Sequence, residues 1–212
     1  MSDQQSERTE KRIIVFIDVG NVYQDLRRAF CVPPLRPTDG QFDPRKLAAL
    51  LVTRGPEYEQ WTLVETRTYL GKAAAARDPR TAAANDRQIA AWQAKGIVVR
   101  PRPLRYPADW PASPPQQKGV DVELAVDVVR LAIDEAYDVG IVFSTDTDLL
   151  PALEAVESLR TRSGPRVAVI GYAGVKKRLA FRDSRMRQPH CIVLIVQDYL
   201  QVMDPTIYVR RQ

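Results

Sequence analysis

The chain has 212 residues, 45% hydrophobic and 27% charged, enough to bury the core of one ordinary domain and too apolar for a disordered one. Its 31 basic and 26 acidic side chains leave a formal charge of +5, which admits an anionic partner without identifying one. Cys31 and Cys191 stand far apart, in no CxxC or His-bearing spacing, which argues against a zinc site or a disulfide framework. The polar, acidic first ten residues lack the basic start and apolar core of a signal peptide, and no apolar run approaches the ~20 residues of a membrane span. A cytoplasmic protein without membrane attachment is expected.

Residues 1–11 read as a disordered tail and 12–212 as one domain. The run Ile13-Ile14-Val15-Phe16-Ile17 before Asp18 is five consecutive apolar residues, mostly β-branched, and predicts a strand buried on both faces, as in a parallel sheet. Gly20 and Asn21 turn it into a helix over 22–30. Pro33, Pro34 and Pro37 then enforce a loop, and Asp43-Pro44 starts a second helix with Asp as N-cap and Pro in the first turn. A strand at 62–70, an Ala-rich helix at 81–95 stopped by Gly96, and a strand at 97–100 follow. The Pro-rich stretch 101–117, carrying Tyr106 and Trp110, reads as a long loop, and long loops in compact domains are often functional. Beyond it come a helix at 120–137, a strand at 139–144, a helix at 149–159, a strand at 167–171, a basic segment at 176–187 and a last strand at 191–196. Six strands alternating with helices predict an α/β fold built on one open, mainly parallel sheet with right-handed crossovers.

Charge is segregated along the chain. Residues 1–120 carry a net +6, residues 121–157 a net −9 and residues 158–212 a net +8. A solvated acidic helix beside a solvated basic one would look like this, and so would a carboxylate site beside a surface that meets a polyanion.

In open α/β sheets the working site lies beyond the carboxyl ends of the strands. Asp18 closes the first strand, Asp146 and Asp148 follow the fourth, and Asp121 opens the helix after the long loop. If the first and fourth strands are neighbours, the four carboxylates can converge, and their mutual repulsion then calls for a cation. An all-Asp set with no Cys or His suits Mg²⁺ or Mn²⁺, which can orient and acidify a water for attack on phosphorus. Each aspartate also has a plainer reading: Asp18 as a turn residue, Asp121 as an N-cap, and Asp146 or Asp148 as the cap of the next helix. Asn21 either starts its helix or hydrogen-bonds a metal-bound water or a phosphate. Asp127 lies about 600° of helical turn beyond Asp121, off its face and in line with Glu123, Arg130 and Asp134 as a solvated stripe. His190, the sole histidine, reads as structural or as a surface residue, not as a general base.

Three motifs, Ile17-Asp18-Val19-Gly20-Asn21, Lys118-Gly119-Val120-Asp121 running on to Asp127, and Val142-Phe143-Ser144-Thr145-Asp146-Thr147-Asp148 running on to Pro151, resemble in order and spacing the NYN domain of the PIN-like nuclease superfamily, particularly its LabA-like branch. The resemblance implies a Rossmann-like three-layer α/β sandwich with a mainly parallel sheet of five to six strands and a metal-dependent ribonuclease, with Asp18, Asp121, Asp146 and Asp148 as ligands of Mg²⁺ or Mn²⁺ and Asn21 assisting. Asp127 matches an acidic position often seen in the family, and it and Ser144 become candidates to support the ligands. Val19 departs from the small residue usual there.

The expected substrate is single-stranded or loop RNA. Lys118, Lys176, Lys177, Arg178, Arg182 and Arg185 would meet phosphates, with Arg160, Arg162, Arg166 and Arg187 in the same basic stretch, and such contacts are salt-dependent and largely sequence-independent. Tyr106 and Trp110 either stack unpaired bases or pin the loop to the core. The rival expectation is a non-catalytic NYN scaffold that binds RNA or a regulatory protein, and a homodimer is equally compatible. A phosphatase that needs Asp-x-Asp is disfavoured because Gly20 stands two residues after Asp18, and no phosphate-binding GxxxxGK[ST] loop is present.

Overall fold

The computed structural model describes residues 9–160, 164–175, 178–183 and 185–209. Its centre is one six-stranded sheet in which every paired neighbour is parallel. In chain order the strands are β1 (Thr9–Asp18), β2 (Glu59–Lys72), β3 (Val98–Pro103), β4 (Val139–Phe143), β5 (Arg166–Tyr172) and β6 (His190–Leu194). They lie side by side as β3-β2-β1-β4-β5-β6, so the chain builds one half outward from β1 and then returns to build the other from β4. The junction between β1 and β4 is the switch point at which an open parallel sheet leaves a crevice.

The apolar run of β1 is continuous because the strand is covered on both sides. Ile13, Val15 and Ile17 face one core with α1 (Val19–Phe30), α2 (Pro44–Val52) and α6 (Val196–Val202). Ile14 and Phe16 face a second core with α4 (Val120–Ile133) and α5 (Leu150–Arg160). The remaining helix, α3 (Pro79–Gln93), covers the β2 and β3 side through Ile89 and Trp92. Leu179 and Phe181, from the connection between β5 and β6, complete the second core.

Several local expectations hold for the stated reason. Asp43 caps α2, accepting from the main-chain N–H of Arg45 (2.9 Å) and Lys46 (3.3 Å), with Pro44 in the first turn. Gly96, at φ +79°, follows the end of α3.

Others change. β1 starts at Thr9, so the expected tail at 1–11 is strand over its last three residues, paired with Glu59–Trp61, and residues 1–8 lie outside the described residues. The expected Pro-rich loop begins as strand: Pro101 and Pro103 sit in β3, which is an edge strand and has a side on which prolines cost no ladder bond. The rest of that loop is closed by reciprocal main-chain bonds between Arg105 and Gln116, both 2.9 Å. Helix α4 stops at Ile133 rather than near 137, and Glu135 follows it with φ +52°.

Candidate functional site

At the β1 and β4 switch point a cleft of about 600 Å³ opens beyond the carboxyl ends of the strands. Asp18, Asp121 and Asp146 line it together with Asn21, Asp25, Arg28 and Gln117. Three of the four aspartates expected to converge therefore share one cleft, each from a different element.

Asp18 is the last residue of β1 and also the N-cap of α1, where its Oδ1 accepts from the Asn21 N–H at 3.1 Å. It is 7% exposed. Burial pushes its carboxyl up to about 6 from the ordinary 3.8, and the charges of Asp146 and Asp121 push the same way, against the opposing bonds from Asn21 and Ser144. Asp121 is not an N-cap. Gly119, at φ +74°, takes that position, and Asp121 falls in the first turn of α4 with its side chain on the cleft.

Asp146 caps the short 3₁₀ turn Thr147–Leu149, accepting from the Asp148 N–H at 3.0 Å. Asp148 itself is exposed and outside the cleft lining. Of the two expected ligands of this turn, one lines the cleft and the other lies outside its lining.

Ser144 is fully buried between the two strand-end carboxylates. Its hydroxyl donates to Asp18 Oδ2 (3.5 Å) and accepts from the Asp146 N–H (3.1 Å), which ties the end of β1 to the turn after β4. Asn21 does the same from α1: its Oδ1 accepts from the Thr145 N–H (2.9 Å) and the Thr145 hydroxyl (3.4 Å).

Asp25 and Arg28 are cleft residues that the sequence reading missed. The Thr145 hydroxyl donates to Asp25 Oδ2, and Arg28 pairs with Asp25 Oδ1 at 3.2 Å. Their signal was helical spacing, since Asn21, Asp25 and Arg28 recur at four and three residues on one face of α1. At the end of β5, burial, with the charges of Asp25 and Asp18, pushes the Tyr172 phenol up, and its hydroxyl is buried without a partner among the described residues.

Asp127 lies elsewhere. It is 8% exposed and sits in an ion cluster on the β2 side of α4, accepting from Arg67 (2.8 Å), Tyr69 (2.8 Å) and Arg130 (3.3 Å). Burial pushes its carboxyl up, but Tyr69, Arg130 and Arg67 outweigh that and hold it below the usual range. The expected solvated stripe is correct for Arg130 and Asp134, which pair at 3.2 Å, and wrong for Asp127, which locks α4 to β2.

The cations divide. Lys118 is exposed next to the lining residues Gln117, Val120 and Asp121. Arg178 is exposed and lies against Gly171 near the carboxyl end of β5. Arg182 is exposed, with its main-chain N–H on Glu154 of α5 (3.2 Å), and Arg185 is paired with Asp183 (2.9 Å). Arg166 starts β5, bound to Glu59, and Arg187 lines a hollow with it and His190 at the amino ends of the strands, so neither rings the cleft. Lys176, Lys177 and Arg162 lie outside the described residues, as does the side chain of Arg160.

Tyr106 and Trp110 pack edge to face at 5.0 Å, and the Tyr106 hydroxyl accepts from the Ala74 N–H at 3.1 Å. These contacts are those of a pinned loop. His190 stands at the amino end of β6 with its Nε2 3.2 Å from the Arg54 carbonyl, in the structural place expected of it.

The donor set of the cleft is all oxygen, which fits a hard divalent cation. Among the described residues no three His, Cys, Asp or Glu side chains come close enough together to grip one ion directly.

No helix among the described residues is long and apolar enough to cross a membrane. No curated protein matches the chain significantly. A solved structure, a protein of unknown function from Vibrio parahaemolyticus, aligns at 21% identity over 81% of this chain and 85% of that one, with a TM-score of 0.49. The NYN domain family matches residues 12–194, from the fourth residue of β1 to the last residue of β6, and so takes in every element that builds the cleft. The chain belongs to the NYN domain family, within the PIN-like superfamily of nuclease folds.

Proposed function

We propose that the protein is a metal-dependent endoribonuclease that hydrolyses phosphodiester bonds of single-stranded or loop RNA. The observation that carries this reading is the cleft at the β1 and β4 switch point, which Asp18, Asp121 and Asp146 line from three elements and in which burial and the neighbouring carboxylates raise Asp18. PIN-like nucleases generally use divalent metals, and the three carboxylates would hold Mg²⁺ or Mn²⁺ through its water shell. Such an ion, when bound, supplies an acidified water and a counter-charge for the leaving oxygen.

The chain's own residues do the rest. Ser144 and Asn21 fix the distance between the strand-end carboxylates, each bridging β1 or α1 to the turn after β4. Arg28 puts a cation inside the cleft, 69% exposed and steadied by Asp25, where it can meet a substrate phosphate. Lys118 and Arg178 extend that charge along the cleft side of the molecule. Asp148 and Asp127 are left out of the ligand set, because one faces solvent and the other is spent on Arg67 and Arg130. Two cysteines without a disulfide fit a reducing cytoplasmic setting, and placement in the LabA-like branch rests on the three sequence motifs.

The test is incubation of labelled RNA with purified protein and Mn²⁺, beside Asp146→Asn. Wild type should cut, chelation should stop it, and the variant should lose about 10–100-fold or more of the rate. Equal cleavage by both proteins contradicts the reading. RNA binding without cleavage by either would favour the non-catalytic scaffold.

A further inference from the structure

Helix α4 is apolar on two opposite faces. Val120, Leu124, Val128, Leu131 and Ala132 are buried in the core shared with the sheet and α5. At about 100° per residue, Val122, Val126, Val129 and Ile133 fall about 160° away from that set, in one strip along the solvent side. Val122, Val126 and Ile133 are 59%, 57% and 62% exposed, and Val129 is half-buried among them. Apart from Asp121, which lines the cleft, the charged residues Glu123, Asp127 and Arg130 share about 60° of one flank. A helix this apolar around its circumference is one that is covered on both sides.

Single exposed valines are ordinary on a protein surface, but a continuous strip marks an interaction site. The spacing of four, three and four residues is that of the seam along which two helices pack. The chain itself has nothing left to cover it. Its segments outside the described residues carry Met1 as their one apolar side chain, so none of them offers a matching surface. RNA is no better an occupant, because the strip holds no cation and its flank sets two carboxylates against one guanidinium.

The strip does match itself. Its spacing reads the same in both directions, so a two-fold axis at its midpoint sets Val122 level with the partner's Ile133 and Val126 level with the partner's Val129. That axis keeps each flank on its own side. Glu123 then stands two residues, about 3 Å along the helix axis, from the partner's Arg130, and Arg130 stands likewise from the partner's Glu123. Within the chain Glu123 pairs with Arg102 at 3.2 Å and Arg130 with Asp134 at 3.2 Å, contacts that contribute little at a surface. A guanidinium with five N–H groups and a carboxylate with two oxygens can each take a second partner. On the other flank Ala125 is small enough to let a second helix approach closely.

We propose that α4 is a self-association face, on which two copies of the chain pack antiparallel along Val122, Val126, Val129 and Ile133 with Glu123 of each against the partner's Arg130. The two acidic clefts, at the N-terminal ends of antiparallel helices, then lie about 20 Å apart along the shared axis. This goes beyond the nuclease reading and does not depend on it.

The experiment is sedimentation velocity over a micromolar concentration series. The mass should rise with concentration from 23.9 kDa towards twice that value. Val126→Glu should keep the circular dichroism spectrum, because the position is exposed, and weaken association about tenfold or more, because the two-fold axis brings two unpaired charges into the seam. Glu123→Arg and Arg130→Glu, each with an unchanged spectrum, should associate less than wild type when alone, since each sets like charges across the contact. Mixed, they should form a heterodimer, because every facing pair is then opposite in sign. A wild type that stays at the monomer mass overturns the proposal and leaves the strip to a different protein. Association that survives Val126→Glu, or two folded charge variants that fail to combine when mixed, overturns it as well.

Discussion

Asp18→Asn should make the metal-free protein more stable, although Asp18 sits at the centre of the proposed site. The native fold buries this carboxyl near Asp146 and Asp121 and raises it from 3.8 to about 6. At neutral pH, folding must then keep ionised a group that its surroundings favour neutral, and at about 1.36 kcal/mol per tenfold step in acidity the penalty is about 3 kcal/mol. Asparagine keeps the shape and the oxygen that accepts from the Asn21 N–H, and gives up the stronger bonding of a charged acceptor, so a net gain of about 2 kcal/mol remains. For a domain of this size that is about 4–8 °C in Tm. The assay is thermal unfolding of both proteins at pH 7.5 in EDTA, repeated in millimolar Mn²⁺. Metal should reverse the order, since a ligand that binds only the folded wild type stabilises it by mass action. An Asp18→Asn protein that melts at or below wild type in EDTA refutes the electrostatic account of the cleft.

The pH profile of the metal-free protein should have two limbs. A carboxyl raised in the fold contributes stability below the ordinary aspartate range and loses it as pH rises through about 6, so acidifying from neutral should first stabilise the wild type and not Asp18→Asn. Desolvation pushes Asp43, Asp127 and Asp138 up, but their partners outweigh that and hold them below the usual range, so the stability they contribute is present above it and lost as pH falls further; urea titrations across this range should show both limbs. Asp127→Ala should cost about 3 kcal/mol in urea unfolding, because it leaves the nearly buried Arg67 with Glu65 as its remaining carboxylate, while cleavage at a permissive temperature persists. Asp148→Asn should cut within a few-fold of wild type where Asp146→Asn does not, and equal losses in a side-by-side rate measurement would return Asp148 to the ligand set.

What was legible in the sequence was whatever depends on neighbours along the chain. The unbroken apolar run of β1 announced a two-sided strand, and the strand-end positions of Asp18 and Asp146 announced the crevice, because in this fold class the carboxyl ends carry the site. What stayed hidden depends on partners far away. Asp127 reads as surface until Arg67 and Tyr69, about sixty residues earlier, come to it from β2. Asp25 reads as one more polar residue of α1 until Thr145 arrives from the turn after β4. Helix α6, seven residues long, has Ile195 as its N-cap, an apolar residue where a polar one is usual; Asp198 accepts from the Ile195 N–H at 3.0 Å instead, a cap invisible from the start signal. The basic +8 stretch looked like one surface, yet it includes residues at both ends of the sheet, so charge collected in sequence is only partly collected in space.

The three carboxylates from β1, α4 and the turn after β4 either form a metal centre or they do not. Crystals soaked in Mn²⁺ and measured for anomalous scattering decide this directly. A peak is predicted in the cleft among Asp18, Asp121 and Asp146, with waters of its shell bridging it to the carboxylates, and it should vanish in Asp18→Asn. A soaked crystal with no peak there, or with Mn²⁺ held at Asp148 or Asp127 instead, contradicts the account.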